Sequence, residues 1–326
     1  MFVIWLLVIT SGCSKPSRPK PAAAVPAAAQ ASSAPAAPAA PAEQIAGAIF
    51  NVPVPIGNYA FAKRVSYMFP RPWEERLSGE ERERAIWEAL ILHYESFRRG
   101  IEVSDEEMER RIDSVLKDQK QSFARAGDPA AYAAWVKDAL GEEVAHFENQ
   151  MRYLYQIDKL RDQVRDSLPV TNTEPELQDE FLSERHHVGG DYVLFDSQAE
   201  AEAFYGAMTA PGTWEAAKAK DPNFSKPFGL ITVQAIIDLW SVPKVQAFAF
   251  HALPLGTVAP PMPFGTKQWG VFRLLEKRTG DLAEFAPQRA AYDAKLTAKK
   301  RYVGLQQWIK AFVASAHLTI STNNHQ

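Results

Sequence analysis

Asp191-Tyr192-Val193-Leu194-Phe195 opens the stretch, Tyr192 to Arg278, around which the rest of this chain is arranged. Aromatic and β-branched residues dominate the opening run, which predicts a short strand. Ser197 to Met208 follows, with Ala201, Phe204, Tyr205 and Met208 recurring at helical spacing. Gly212-Thr213-Trp214-Glu215-Ala216-Ala217 comes next, and Pro222 to Pro227 reads as a loop. Trp269-Gly270-Val271-Phe272-Arg273-Leu274-Leu275 closes the stretch as a second strand. Strand, helices, loop and strand in so short a span predict a small α+β domain.

Working outward, 326 residues leave room for two domains and additional segments. Charged residues at 23% and hydrophobic ones at 46% are ordinary for a soluble globular body. A net charge of -3 gives no basic footprint, which excludes nucleic acid as the expected partner. The single cysteine, Cys13, rules out an internal disulfide and a cysteine-built zinc site. No phosphate-binding glycine loop, nucleophile elbow or helical zinc motif is present.

Residues 2–9 are continuously apolar and too few to span a bilayer as a mature helix. With Thr10-Ser11-Gly12-Cys13 behind them, residues 1–13 read as a secretory signal ending at a cysteine that takes a lipid. The alternative is an ordinary signal with an incidental cysteine. Met1 is followed by no Lys or Arg, and Thr10 stands where lipoprotein signals prefer Leu. Residues 14–43, almost all Ala, Pro and Ser, cannot bury a core and are expected to form an extended tether.

The segment 44–170 reads as helical. It opens on Ala48-Ile49-Phe50-Asn51-Val52-Pro53-Val54-Pro55-Ile56. Trp73 and the Leu77-Ser78-Gly79-Glu80 turn lead into a helix capped by Ser78, with Ile86, Leu90, Tyr94 and Phe97 on one face and Gly100 as its stop. Ser104 to Glu107 has the pattern of a capping box before Met108, Ile112, Val115 and Leu116. Asp128-Pro129 starts a short helix. Glu142 to Leu168 carries Val144, Phe147, Met151, Leu154, Ile157, Leu160 and Val164 in one stripe. Beyond Arg278, Glu284 to Ala316 reads as a helix, and Leu318-Thr319-Ile320 as a strand for the Val52–Val54 region.

The order strand, "SQAEAEAFY", "GTWEAAKAK", "PLGTVAPPMPF", "WGVFRLLEKR" resembles a parvulin-type peptidyl-prolyl isomerase domain. The opening strand, the phrase Gly100-Ile101-Glu102-Val103-Ser104-Asp105-Glu106-Glu107 and the entry Val170-Thr171-Asn172-Thr173-Glu174 resemble the flanks of SurA- and PrsA-like periplasmic foldases. The resemblance implies an α+β fold in which a helical chaperone module (44–170) is completed by a C-terminal helix and strand (281–326), with one parvulin-like domain (171–280) inserted. It further implies a lipid-anchored chaperone for unfolded envelope or secreted proteins, with extended polypeptide and the membrane as partners and no cofactor. Ser14 after the cysteine favours the periplasmic side of the outer membrane, with the inner membrane as the alternative.

Parvulins lower the amide barrier of ~18–20 kcal/mol by holding proline on an apolar shelf beside two histidines and a cysteine or aspartate. Carried over position by position, the first histidine falls on Tyr192. The acid loop falls on Lys226-Pro227-Phe228-Gly229-Leu230, and the last histidine falls where Gly270 follows Trp269. Tyr192 is thus the one candidate catalytic residue. Phe248, Phe250, Met262, Phe264 and Trp269 remain as a candidate peptide-binding surface, with domain core as the alternative reading. His186 and His187 read as exposed linker residues, the alternative being a register slip that brings one into the site beside Tyr192. They are not expected as metal ligands, because neighbours on an extended chain point oppositely. His251 is undecided between core and surface. The domain is expected to have weak or no isomerase activity; an active isomerase and an assembly lipoprotein dedicated to one envelope complex are the alternatives.

Overall fold

The structure is a computed structural model that describes residues 44–71 and 74–321. Cys13, its signal, the tether and Trp73 lie outside them. The described residues divide into two compact units, one of residues 44–168 and 304–321 and the other of residues 169–303. The division falls at 303/304 and not at 280/281.

The first unit opens on a hairpin of β1 (Ile45–Ile49) and β2 (Val52–Pro55). Phe50 and Asn51 join the strands with φ of 52° and 62°, the left-handed pair that a two-residue hairpin turn needs. Helices α1 (Ile56–Met68), α2 (Gly79–Arg98), α3 (Asp105–Asp118), α4 (Pro129–Leu140) and α5 (Val144–Ser167) follow. Ser78 caps α2 in a full capping box with Glu81. Ser104 caps α3, but the Glu107 carboxylate goes to Lys159 at 2.7 Å, so only half of the expected box forms. Asp128 caps α4, and Gly141 at φ 69° ends it. Each cap satisfies an otherwise orphaned backbone donor, worth about 1 kcal/mol. Phe97 faces solvent, because Glu95 two residues earlier is buried and clamped by Arg98 and Arg99 at 2.7 and 2.6 Å.

Helix α5 is central to this unit. Phe147 packs on Tyr132 and Trp135 of α4, Tyr153 on Phe61 of α1 and His93 of α2, and Tyr155 lies under Arg111 of α3. Burial also takes in Tyr153, four residues before Ile157, and Tyr155, four after Met151, so the buried arc is broad.

In the second unit, α6 (Glu174–Arg185) is capped by Thr173 in a box with Glu176. It is followed by β3 (His187–Phe195), α7 (Gln198–Met208), α8 (Thr213–Lys220), β4 (Lys226–Thr232), α9 (Val233–Trp240), α10 (Lys244–Ala252), β5 (Met262–Phe264), β6 (Gln268–Arg278) and α11 (Arg289–Ser315). The sheet is antiparallel in the order β4-β3-β6-β5. Lys226–Leu230, read as a loop, is the start of β4. Alternation along the strands makes two cores. Val188, Phe272 and Leu274 meet α9 and α10 on one face, while Val271 meets Ala201 of α7 and Trp214 of α8 on the other. A third cluster joins Leu177 and Phe181 of α6 to Phe285, Tyr292 and Leu296. Short 3-10 turns at Leu282–Glu284 and Ala286–Gln288 delay α11 to Arg289. Ion pairs Glu176–Lys300, Glu180–Lys299 and Glu184–Lys295 tie α6 to the first half of α11.

The second half of α11 belongs to the first unit, where Leu305 and Ile309 enter the core. The last strand, β7 (Thr319–Ile320), pairs with β1 through Gly47↔Ile320 and Ala48↔Thr319, not with the Val52–Val54 region. Pro53 and Pro55 deprive β2 of two ladder donors, and β1 supplies the usable edge.

Gly47 marks that junction. A methyl group there would lie 2.3 Å from the Thr319 carbonyl oxygen and 2.9 Å from the Trp87 ring. Gly47→Ala is expected to cost about 2 kcal/mol or more, through overpacking against backbone that cannot retreat. Gly57→Ala, with nothing within 4 Å of the added methyl, should be neutral or slightly stabilising. Urea midpoints of the two full-length variants check both outcomes.

Candidate functional site

In the first unit, α1, α2 and α5 wall a cleft of about 360 Å³. Asn58 and Phe61 enter from α1, Leu90 and His93 from α2, and Asn149, Arg152, Tyr153 and Gln156 from α5. Helical spacing explains the set: positions 149, 152, 153 and 156 form one stripe, and the α1 and α2 pairs are each three apart. Phe61, Leu90 and Tyr153 make an apolar floor. Around it stand three carboxamides, each able to donate and accept. Sequence reasoning missed this site, although the polar stripe beside the apolar one on α5 was there to be seen.

Hydrogen bonds fix the polar wall. Gln156 donates from Nε2 to the Ile101 carbonyl at 3.1 Å, which turns its Oε1 toward His93 Nε2 at 3.0 Å. His93 Nε2 therefore carries the proton. Burial lowers the His93 pKa from its ordinary value, so the ring is neutral at pH 7 and its Nδ1 is an acceptor. Arg152 donates to the Val103 carbonyl and to Asp105 at 3.1 Å. Burial raises the Tyr153 phenol, which keeps it uncharged. The cleft thus presents apolar surface and neutral hydrogen-bonding groups, with its one cation already paired.

In the second unit the residues singled out from sequence do not form one surface. Phe250 and Met262 are core, at 1% and 3% exposure. Trp269 lies on the opposite face of the sheet, packed with Val193, Phe195 and the α7–α8 cluster, because it alternates with Phe272 along β6. Tyr192, Phe248 and Phe264 are half-buried on the α9–α10 face. Tyr192 stacks on Phe264 at 5.6 Å and on Phe272 at 6.0 Å, with Phe228 and Trp240 at 6.2 and 6.5 Å.

The histidines are placed differently from the sequence reading. His186 is a buried residue, not an exposed linker, and it stacks on buried His251 with centroids 4.0 Å apart and planes 7° from parallel. His187 begins β3. The Gly280 amide donates to His186 Nδ1 at 2.9 Å, and His251 Nε2 donates to the Arg278 carbonyl at 3.1 Å. Both rings thus clamp the end of β6. Burial, then the neighbouring His251 and His187, push the His186 pKa down to about 4, and burial also lowers that of His251. Among the described residues, no group of three His, Cys, Asp or Glu side chains is placed to hold a metal, and no helix is long and apolar enough to cross a membrane.

No family model matches the chain, and no curated protein matches it. Solved structures do. A peptidylprolyl isomerase, PrsA, of Bacillus anthracis is 15% identical over 74% of this chain and 100% of its own, with a TM-score of 0.40. A SurA-like chaperone of Campylobacter jejuni is 11% identical over 85% of this chain and 99% of its own, with a TM-score of 0.38. PrsA of Bacillus cereus is 12% identical over 86% and 95%, with a TM-score of 0.37. What the cleft can do rests on its own residues.

The histidine clamp has a pH signature. Folded-state pKa values below the free histidine value mean that the unfolded chain binds more protons, so the stabilisation is full above about pH 6.5 and is lost as pH falls toward 4. His186→Asn keeps an acceptor for Gly280 and removes the titration. Hydrogen exchange of amides in residues 169–303 should show the wild type losing on the order of 1–2 kcal/mol more than the variant between pH 7.5 and 4.5. Parallel losses would assign the clamp no such role.

Proposed function

We propose that this chain is a chaperone that holds extended, unfolded polypeptide of envelope or secreted proteins in the α1–α2–α5 cleft. One observation carries the reading: an apolar floor of Phe61, Leu90 and Tyr153 rimmed by carboxamides, in a volume within the range of ligand sites. Such a lining fits a polypeptide segment, which brings both apolar side chains and main-chain donors and acceptors. Holding of this kind runs without ATP, by covering apolar surface until the client folds.

The second unit adds a half-buried aromatic face at Tyr192, Phe248 and Phe264 as a second contact for clients. The aromatic packing of Tyr192 against Phe228, Trp240, Phe264 and Phe272 supports weak or absent prolyl isomerisation. In this reading Cys13 carries a lipid and residues 14–43 hold the body at a distance from the membrane, on the periplasmic side of the outer membrane.

The test is suppression of aggregation of several unrelated denatured proteins by the full chain. Asn149 is exposed on α5 at the cleft, so Asn149→Trp fills the cleft without disturbing the core. It is expected to raise the concentration needed for half-suppression about tenfold, the scale of removing one central binding contact. Unchanged suppression would remove the cleft from the function. In a protease-coupled prolyl-peptide assay, the wild type and Tyr192→Phe should give the same rate, close to the uncatalysed one. Rapid catalysis abolished by Tyr192→Phe would make the chain an isomerase instead. Capture of one partner without general suppression would mark a dedicated assembly factor.

A further inference from the structure

The wall of the cleft says which polypeptide it takes. We infer that the cleft selects an uncharged segment, and that His93 is its specificity-determining residue, accepting a main-chain N–H of the client at Nδ1. The inference rests on the cleft being the holding site proposed above.

Three observations lead there. The Ile101 carbonyl orients Gln156, and Gln156 in turn fixes the proton on His93 Nε2. That order leaves Nδ1 as a lone-pair acceptor with no partner among the described residues. It is matched by main-chain N–H groups, which every non-proline residue of a client carries. Next, Arg152 is already neutralised by Asp105 and donates to the Val103 carbonyl, so an acidic client side chain would have to compete with Asp105 for it. Finally, no acidic side chain lines the cleft to meet a basic one. A charged client side chain entering it would be desolvated against Phe61, Leu90 and Tyr153 without an unpaired opposite charge, which is heavily unfavourable. A neutral segment bearing a large apolar side chain meets every surface with a complement.

The probe is a short N-acetylated, C-amidated peptide of Ala, Ser and Thr with one central Leu, labelled for fluorescence anisotropy and titrated with the full chain at pH 7.5. Replacing the residue beside Leu with Asp, or with Lys, should weaken binding about tenfold or more in both cases. Binding of either within about twofold of the neutral peptide would overturn the charge selection. The hydrogen bond is tested by ester-for-amide replacement along the peptide, which removes one N–H at a time. One position should lose about fivefold against the wild type, the worth of a single net hydrogen bond. The same ester should cost nothing further against His93→Ala, because each ratio is taken within one protein and is insensitive to a general loss of stability. An ester scan that is flat, or an ester penalty that persists in His93→Ala, would overturn the role of His93 while leaving the cleft as the holding site. Peptide binding untouched by Asn149→Trp would overturn both.

Discussion

Nearly everything in the first unit follows from the burial of α5. A helix of 24 residues carries Phe147, Met151, Tyr153, Tyr155, Ile157, Leu160 and Val164 over a broad arc, so it has to be wrapped by neighbours. Fully burying such a side chain contributes about 1.5–3 kcal/mol, more than any cap or exposed ion pair in the unit supplies. Polar residues at 149, 152 and 156 cannot be covered in the same way, and the wrap stays open along that strip. The cleft is the gap that this conflict leaves.

The second unit obeys a different rule, the two-residue period of its sheet. Helices α9 and α10 cover one face and α7 and α8 the other, so residues adjacent in sequence serve different cores. Phe272 and Val271 are neighbours in the chain and strangers in the packing. The same rule divides the aromatic residues and leaves Tyr192, Phe228, Phe248 and Phe264 half-buried on the α9–α10 face.

Both units keep a histidine neutral by the same means, a buried stacked pair in the second and half-buried His93 in the first. Backbone groups of Arg278 and Gly280 fix the protons on the stacked pair, and the Ile101 carbonyl fixes that on His93 through Gln156. Burial lowers all three pKa values, so each ring serves as a hydrogen-bonding group at neutral pH. The pair secures the end of a strand. In the cleft, the same chemistry faces outward.

Local patterns were legible without coordinates wherever the cause was local. Ser78, Ser104, Asp128 and Thr173 cap helices because their side chains reach donors three residues on, and the stripe on α5 follows from helical spacing. The strand at Tyr192 and its closing partner at Trp269 were equally plain. Partner choice was not. Which edge of β1 receives β7, that His186 meets His251, and that Trp269 faces away from Tyr192 all depend on residues far apart in the chain being brought together. The cleft depends most on this, since its walls come from three helices whose separate sequences show only pairs and a stripe. Sequence by itself determined the helix caps and most helices of the first unit, because hydrogen bonds and side-chain spacing within one segment suffice for that. Strand β4 and helices α9 and α10 were not read from it. Tertiary structure alone decided the cleft and the proton positions inside it, because these arise where one segment's carbonyl orients another segment's side chain.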